Sequence, residues 1–151
     1  MNGFDLANGL VIKPVNTWRA SGTRTLLLDV VGNPTPEKLD RVRQMYLSDK
    51  RYVMNAIYKS GSRIGLLGTE YLSDAIIAIR HLVIARRFRR CGYGRIVLNY
   101  LSHGHPDRSL IALTDYESVD FYRKCGFSIR SMGAHEGGNE RFECRRQAIS
   151  P

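Results

Sequence analysis

Hydrophobic and polar positions follow mainly helical spacing in the first third of the chain. "LVIKPV" (10–15) is a short apolar run at the start of this part, and it predicts a strand. Residues 16–31 are then expected to form a helix, with Asn16 or Thr17 as its N-cap and Gly32 just past its end.

A second helix is predicted over residues 33–49, where the apolar spacing is clearer. Thr35 can cap this helix, and Pro36 suits its first turn because that turn leaves its amide groups without helical partners. The apolar residues that share one face are Leu39, Val42 and Tyr46. This face is expected to pack on the core.

Three strand-like runs follow. Residues 51–60 are rich in strand-favouring residues, Gly61 and Ser62 provide a turn, and residues 64–73 form the returning strand. Residues 75–85 are almost continuously apolar, which is typical of a central strand buried on both faces. The three runs together predict an antiparallel meander.

Helices and strands alternate in the rest of the chain. The predicted elements are helices over 94–103 and 118–127 and strands over 109–115, 127–135 and 139–146. Gly126 supplies a helix stop, and "EGGN" (136–139) is a hairpin signal between the last two strands. The pattern is that of an α/β protein with a mixed sheet.

The composition is that of one globular domain over residues 1–151. No apolar run approaches the roughly 20 residues of a membrane span. The first residues also lack the basic and then apolar pattern of a secretion signal. The three cysteines are odd in number and lack metal-ligand spacing, so we expect a reduced, cytoplasmic setting.

The charge balance is more distinctive. Lysine and arginine number 23 against 14 aspartate and glutamate, which gives a formal net charge of +9. A surplus of this kind favours polyanionic partners such as nucleic acid, an acidic membrane or a phosphorylated small molecule. It also serves simply to keep a protein in solution, so the charge alone does not choose among these alternatives.

A basic stretch with two glycines, "FRRCGYGRIV" (88–97), lies between the buried strand and the third predicted helix. The first N–H groups of a helix lack internal partners and carry partial positive charge. Gly92 and Gly94 leave the backbone open to an approaching anion. Charge-assisted contacts can come from Arg89, Arg90 and Arg95. The stretch therefore predicts a phosphate-binding loop.

Other phosphate motifs fit this stretch less well. A Walker loop would end in Gly-Lys-Ser/Thr, and a dinucleotide fingerprint would need a third glycine where Val97 stands. A nucleic-acid-binding module that uses the same basic stretch is an alternative. The sequence offers no helix-turn-helix or zinc pattern to accompany that reading.

The spacing Arg89-x-x-Gly92-x-Gly94 resembles the R/Q-x-x-G-x-G/A acetyl-CoA loop of the GNAT superfamily of N-acetyltransferases. In that family the loop follows a strand of the type L-x-V and opens a helix. Leu82 and Ile84 occupy the corresponding strand positions here.

A second segment, "DYESVDFYRKCGF" (115–127), resembles the family pattern N-x-x-A-x-x-F-Y-x-K-x-G-F. The matching residues are Phe121, Tyr122, Lys124, Gly126 and Phe127. The chain departs from the pattern at Ser118 and at Asp115, where the family often has an asparagine that contacts the pantetheine arm. Asp115 is therefore also a candidate helix N-cap.

The resemblance covers residues 50–130 and implies a mixed, centrally splayed sheet of about six to seven strands flanked by about four helices. It also implies acetyl-CoA as co-substrate and no metal. The pantetheine arm would pair with strand backbone, and the pyrophosphate would meet N–H groups of residues 90–95. The implied cofactor-binding residues are Leu82, Val83, Ile84, Arg89, Arg90, Cys91, Gly92, Tyr93, Gly94, Arg95, Asp115 and Tyr122.

The resemblance makes Tyr122 the general acid for the leaving thiolate, since a phenol with a pKa near ~10 is protonated at neutral pH. The central strand lacks a carboxylate, so His81 is the candidate base, with a purely structural histidine as the alternative. Glu70 and Asp74 are weaker candidates. We expect the amine proton to leave through water, with His81→Ala costing less than about tenfold in rate.

The acceptor is expected to be a primary amine, and protein N-termini, lysines, polyamines, amino acids and aminoglycosides all stay open. No specific nucleic acid and no membrane partner is expected, and a homodimer stays open. An acyl-CoA sensor without turnover is a further alternative. His103 and His105 could suggest a metal, but a third ligand is missing, so a polar helix end is favoured.

Overall fold

The computed structural model describes residues 4–15, 18, 21–31, 34–134 and 139–150. These residues belong to two compact units, residues 1–70 with 81–97 and residues 71–80 with 98–151. The helices are α1 (Ser21–Val30), α2 (Pro36–Ser48), α3 (Tyr93–Gly104) and α4 (Val119–Lys124). The strands are β1 (Phe4–Asp5), β2 (Leu10–Pro14), β3 (Tyr52–Lys59), β4 (Ser62–Tyr71), β5 (Ile76–Ile84), β6 (Ser109–Thr114), β7 (Ser128–Ala134) and β8 (Glu140–Arg146).

The first unit contains strands in the order β1-β2-β3-β4, and the pairs from β1 to β4 are antiparallel. Ser60 and Gly61 both have positive φ angles, 51° and 80°, in the two-residue turn between β3 and β4. This geometry matches the twist of the flanking strands. The turn therefore lies one residue earlier than the predicted Gly61–Ser62.

Helices α1 and α2 supply much of the first unit's core. The Lys38 backbone N–H donates to Thr35 Oγ1 over 3.1 Å, which caps α2 as predicted. One cluster of buried hydrophobic residues consists of Leu26, Leu27, Val31, Leu39, Tyr46, Met54, Ala56, Leu66 and Val83. Leu39 and Tyr46 are thus on the buried face that the helical spacing predicted.

The second unit contains the first part of β5 (residues 76–80), followed in the sheet by β6, β8 and β7, and the rest of β5 belongs to the first unit. β5 and β6 are parallel, with a register that runs from Ile76–Ser109 to Ile79–Ala112. β8 is antiparallel to both β6 and β7. β5 continues for five residues past Ile79 and reaches Ile84, so its last part lies beyond the ladder.

The mixed α/β class and most elements are confirmed, and three details differ. The first helix begins at Ser21 and not at residue 16, and the suggested caps Asn16, Thr17 and Gly32 lie outside the described residues. The two-residue strand β1 was not predicted and brings the described strands to eight. Most of the predicted "EGGN" turn also lies outside the described residues, while the hairpin strands are present.

In the described part of the chain, no helix combines the length and the apolar character that crossing a membrane requires. A single domain over residues 1–151 stays a prediction.

Candidate active site

The basic loop (residues 86–95) joins β5 to α3 and has an unusual backbone. Arg90 and Gly92 have φ angles of 61° and 80°, in the left-handed region that favours glycine. Alternation of this kind turns successive N–H groups toward one side, which makes a concave anion site. The Ile96 N–H donates to the Gly92 carbonyl over 3.1 Å as the first turn of α3 closes. The first N–H groups of α3 therefore lie directly after this concave segment.

The arginines of the basic loop differ in their contacts. Arg86, Arg87 and Arg90 are exposed, and within the described ranges none of the three forms an ion pair. Arg89 instead donates from Nε to the Ile84 carbonyl over 2.7 Å, and its NH2 lies 3.9 Å from Asp29 Oδ2. Arg89 therefore fastens the loop to the end of β5 and to α1.

The last part of β5 passes close to β4. The Ala85 N–H donates to the Ile64 carbonyl over 2.7 Å. A Cβ atom added at Gly65 would lie 2.5 Å from the Val83 carbonyl oxygen and 2.9 Å from Ile84 Cδ1. The absence of a side chain at Gly65 thus allows the backbone of β5 to approach β4 closely at Val83.

Tyr122 lies on α4 in the second unit and is 7 % exposed. Its ring meets the rings of Phe121 and Phe127 edge to face, with centroids 5.1 and 5.2 Å away. Burial, with smaller contributions from Cys144 and Cys125, raises the pKa of Tyr122 well above its ordinary value. This raised pKa keeps the phenol protonated at neutral pH, and none of the described residues forms a hydrogen bond to its hydroxyl.

The two ends of α4 are fixed by local hydrogen bonds. Asp115 Oδ1 accepts from the Ser118 N–H over 3.0 Å, and the Val119 N–H donates to the Asp115 carbonyl over 3.1 Å. At the other end Gly126 has a φ of 87°, and the Phe127 N–H donates to the Tyr122 carbonyl over 3.1 Å. The N-cap position of α4 is Ser118, so the prediction of Asp115 as the N-cap was wrong; Asp115 instead binds the backbone N–H of the N-cap residue. Gly126 has the conformation of the predicted helix stop.

An aromatic cluster (Trp18, Tyr46, Tyr52 and His81) lies in the first unit and surrounds the histidine suggested as a base. Tyr46 Oη and His81 Nδ1 share a hydrogen bond of 2.6 Å. Trp18 stacks on Tyr46 with ring centroids 5.7 Å apart, and Tyr52 meets Tyr46 edge to face at 5.8 Å.

A neighbouring glycine makes room for this cluster. A Cβ atom at Gly68 would lie 2.0 Å from Tyr46 Oη, so any larger residue would displace the hydroxyl that reaches His81. The helical spacing placed Tyr46 on a core face and gave no indication of its polar contact. A buried tyrosine usually finds a partner for its hydroxyl, which is the signal that could have revealed the contact.

The other titratable candidates have varied surroundings. Glu70 is 4 % exposed, and its Oε2 lies 3.9 Å from Arg51 NH1, whereas Asp74 is exposed.

His105 Nδ1–H donates to the Leu101 carbonyl over 3.2 Å, so Nε2 is the nitrogen that faces the Tyr71 hydroxyl at 3.5 Å. His103 Nδ1–H donates to the Asn99 carbonyl over 2.7 Å. These bonds fit the polar helix end that the sequence favoured.

The structure groups most of the predicted site residues by unit. The strand segment 82–84, the basic loop and His81 belong to the first unit, and Asp115 and Tyr122 to the second. In the first unit Arg89 joins the loop to the strand through Ile84. In the second, Tyr122 lies in the middle of α4, and Asp115 lies in the turn that precedes this helix.

Known structures with a similar fold include three acetyltransferases. The ribosomal-protein-S18-alanine N-acetyltransferase of Escherichia coli superposes with a TM-score of 0.69 at 17% identity, over 94% of this chain and 95% of that chain. A GNAT family acetyltransferase from Elizabethkingia anophelis with acetyl-CoA bound gives 0.70 at 17% identity, over 93% and 99%. The spermidine N-acetyltransferase of Vibrio cholerae, in complex with CoA and spermine, gives 0.70 at 12% identity, over 93% and 96%.

At such identities these similarities show the fold. A comparison with curated proteins gave no match. The model of the acetyltransferase (GNAT) family matches residues 21–127, which include the basic loop and the motif around Tyr122. This match spans more than half of the chain and confirms the assignment made from the two sequence motifs. The chain belongs to the acetyltransferase (GNAT) family.

Proposed function

We propose that the protein transfers the acetyl group of acetyl-CoA to a primary amine by direct attack, with Tyr122 as the general acid. The observation that carries the proposal is the backbone of the basic loop. Left-handed Arg90 and Gly92 precede the open N-terminus of α3, and this arrangement suits a pyrophosphate. The family match supports the same reaction.

The residues proposed to bind acetyl-CoA divide into three groups. Backbone groups of Leu82, Val83 and Ile84 would pair with the pantetheine arm, and the end of the β5–β6 ladder at Ile79 supports this role. N–H groups from Arg90 to Arg95 would bind the pyrophosphate. The exposed arginines of the loop would add attraction for the polyanion, while Arg89 holds the loop on β5.

The proposed reaction requires a neutral amine. The amine nitrogen attacks the acetyl carbonyl carbon and forms a C–N bond, and a backbone N–H near residues 82–84 stabilises the oxyanion. The C–S bond then breaks, and the sulfur takes the proton of the Tyr122 hydroxyl. The proton lost by the nitrogen passes to water, and Tyr122 regains its proton from solvent.

The burial of Tyr122 supports this role. Its raised pKa keeps the phenol protonated across the neutral range, and its apolar surroundings strengthen a hydrogen bond to the developing thiolate. His81 is bound to Tyr46 through Nδ1. We therefore assign His81 a positioning role in the aromatic cluster and leave proton removal to water.

The decisive experiment follows free thiol release from acetyl-CoA with a panel of amines. Tyr122→Phe should lower kcat by roughly 10²–10⁴-fold, because one proton-transfer group is lost, while the affinity for acetyl-CoA stays unchanged. Phenylalanine fits the same apolar site, so the fold should persist. The matched control is Tyr116→Phe, since Tyr116 belongs to the same motif but is 78% exposed.

Two outcomes would contradict the proposal. Wild-type turnover in Tyr122→Phe would limit Tyr122 to packing. Tight acetyl-CoA binding with no thiol release for any amine would favour a sensor of acyl-CoA over an enzyme.

A further inference from the structure

A cavity of about 340 Å³ lies in the first unit between α1 and α2. Its lining residues are Trp18, Arg24, Leu27, Leu39, Asp40 and Arg43. Small-molecule sites typically occupy 300–1,000 Å³ and combine an apolar wall with a few polar groups. The volume of this cavity falls within that range, and its lining combines apolar and charged side chains. None of these residues belongs to the two family motifs.

The polar wall of the cavity contains an arginine from each helix. Arg43 NH2 lies 3.7 Å from Asp40 Oδ1 one turn earlier on α2. Arg43 Nε is buried, and in the described part of the chain no acceptor lies within hydrogen-bond distance of it. A buried charged donor without an acceptor is costly, so the side chain would gain a hydrogen bond by turning this nitrogen toward an acceptor in the cavity. A carboxylate suits it best, because two oxygens can match the guanidinium fork.

The rest of the wall is apolar. Leu27 and Leu39 are 4% and 6% exposed, and the ring of Trp18 covers one side. These side chains suit a hydrocarbon or aromatic body and give no acidic group except Asp40, which is already beside Arg43. A polycation such as a polyamine would meet Arg24 and Arg43 and be repelled.

A continuous series of contacts joins the cavity to the strand proposed to hold the thioester. Trp18 lines the cavity and stacks on Tyr46 at 5.7 Å. Tyr46 is bonded to His81 over 2.6 Å, and His81 immediately precedes the segment 82–84. Along this series, the rings of Trp18 and Tyr46 lie between the cavity and His81.

We propose that the cavity binds the acceptor and that the acceptor is an amine carrying a carboxylate and an apolar body. This inference rests on the proposed acetyl transfer. Arg43 and Arg24 bind the carboxylate, Trp18 and the two leucines contact the apolar body, and the amine projects along the aromatic cluster toward β5. The acceptor class is therefore that of amino carboxylates whose amine and carboxylate lie at opposite ends of an apolar body.

The kinetic test uses matched pairs of amines in the thiol-release assay. The probes are 6-aminohexanoate with 6-aminohexanamide, and 8-aminooctanoate with 8-aminooctanamide. At least one carboxylate should exceed its amide in kcat/KM by about 10–100-fold, the usual worth of a charge-assisted contact. Arg43→Gln should remove this preference by lowering kcat/KM for the carboxylate to the value for its amide. Arg24→Gln, at a more exposed position, should reduce it in part.

The control variant is Arg41→Gln. It removes the same charge from an exposed position of the same helix, and Arg41 does not line the cavity. Equal rates for both members of each pair, or equal effects of Arg41→Gln and Arg43→Gln, would overturn the inference while leaving acetyl transfer intact.

A binding measurement separates this inference from the proposed function. Calorimetry with 3-phenylpropionate and 3-phenylpropanamide, neither of which carries an amine, should show binding of the carboxylate alone and its loss in Arg43→Gln. Carboxylate binding in a protein that acetylates no amine would support the site and overturn its role in acetyl transfer. Absence of carboxylate binding in a protein that acetylates other amines would overturn the site.

Discussion

The basic loop and the aromatic cluster both belong to the first unit and both depend on glycine, but for different physical reasons. In the loop, Gly92 adopts a left-handed backbone with nothing within 4 Å of the position of its missing Cβ. At the cluster, a Cβ on Gly68 would fall 2.0 Å from Tyr46 Oη. One region needs glycine for conformation and the other for space.

The difference extends to how each region would recognise its ligand. The loop offers backbone N–H groups, which any sequence can present once the chain has the right φ angles. The cluster and the neighbouring cavity use side chains from α1, α2 and β5 that lie far apart in the sequence. A backbone site leaves a compact motif, whereas a side-chain site can be assembled in many ways.

The largest effect is expected from a substitution in the loop itself. Gly94→Glu should weaken acetyl-CoA binding by about 100-fold or more, because a carboxylate would displace the pyrophosphate from at least two charge-assisted contacts. The fold should persist, since an acidic residue in the first turn of a helix is favourable. Calorimetry measures the affinity. Gly104→Glu adds the same group at the other end of α3, where space is open, and is the control.

A substitution at the aromatic cluster should lower the stability of the fold without changing the affinity for acetyl-CoA. Gly68→Ala should lower the free energy of unfolding by about 1–3 kcal/mol, since the new methyl group overlaps Tyr46. Tyr46→Phe in the same background removes the nearest atom and should restore part of the loss, which urea unfolding can measure. An equally large loss of acetyl-CoA affinity in Gly68→Ala would break the distinction between the two regions.

The smallest effect on stability is expected from a substitution that tests the backbone conformation of a glycine where space for a side chain is open. Gly92→Ala should cost about 1–2 kcal/mol, the usual penalty for a left-handed alanine. Gly104→Ala has equally open surroundings and lacks the positive φ, so it should cost nothing. Thermal unfolding of the two variants side by side gives the comparison. Equal stabilities would show that the loop does not require its left-handed turn.

The sequence predicted the elements and the loop well because each has a local cause. Caps and turns depend on neighbouring backbone atoms, so they can be predicted from a short stretch of sequence. Examples are Thr35, Pro36, Gly92 and Gly126. The contact between Tyr46 and His81 joins residues 35 positions apart, so no local pattern contains it.

The start of α1 shows a related limit. Asn16 and Thr17 offered good local caps, yet the helix begins at Ser21. Trp18, which lies between Thr17 and Ser21 in the sequence, is in a turn and stacks on Tyr46 of α2. At Trp18, tertiary packing accompanies a turn where the sequence predicted a helix.

The burial of Tyr122 also has a thermodynamic consequence for the whole protein. The Cys144 thiol, buried in β8, has its pKa raised by burial to about 11 from 9.0, and the pKa of Tyr122 is raised in the same way. In the unfolded chain both groups ionise nearer their ordinary values, so unfolding releases protons in alkaline solution. Their contribution to stability is complete below about pH 9 and declines as the pH rises toward the folded-state values. The packing that keeps the proposed acid protonated therefore also sets an alkaline limit to the folded state.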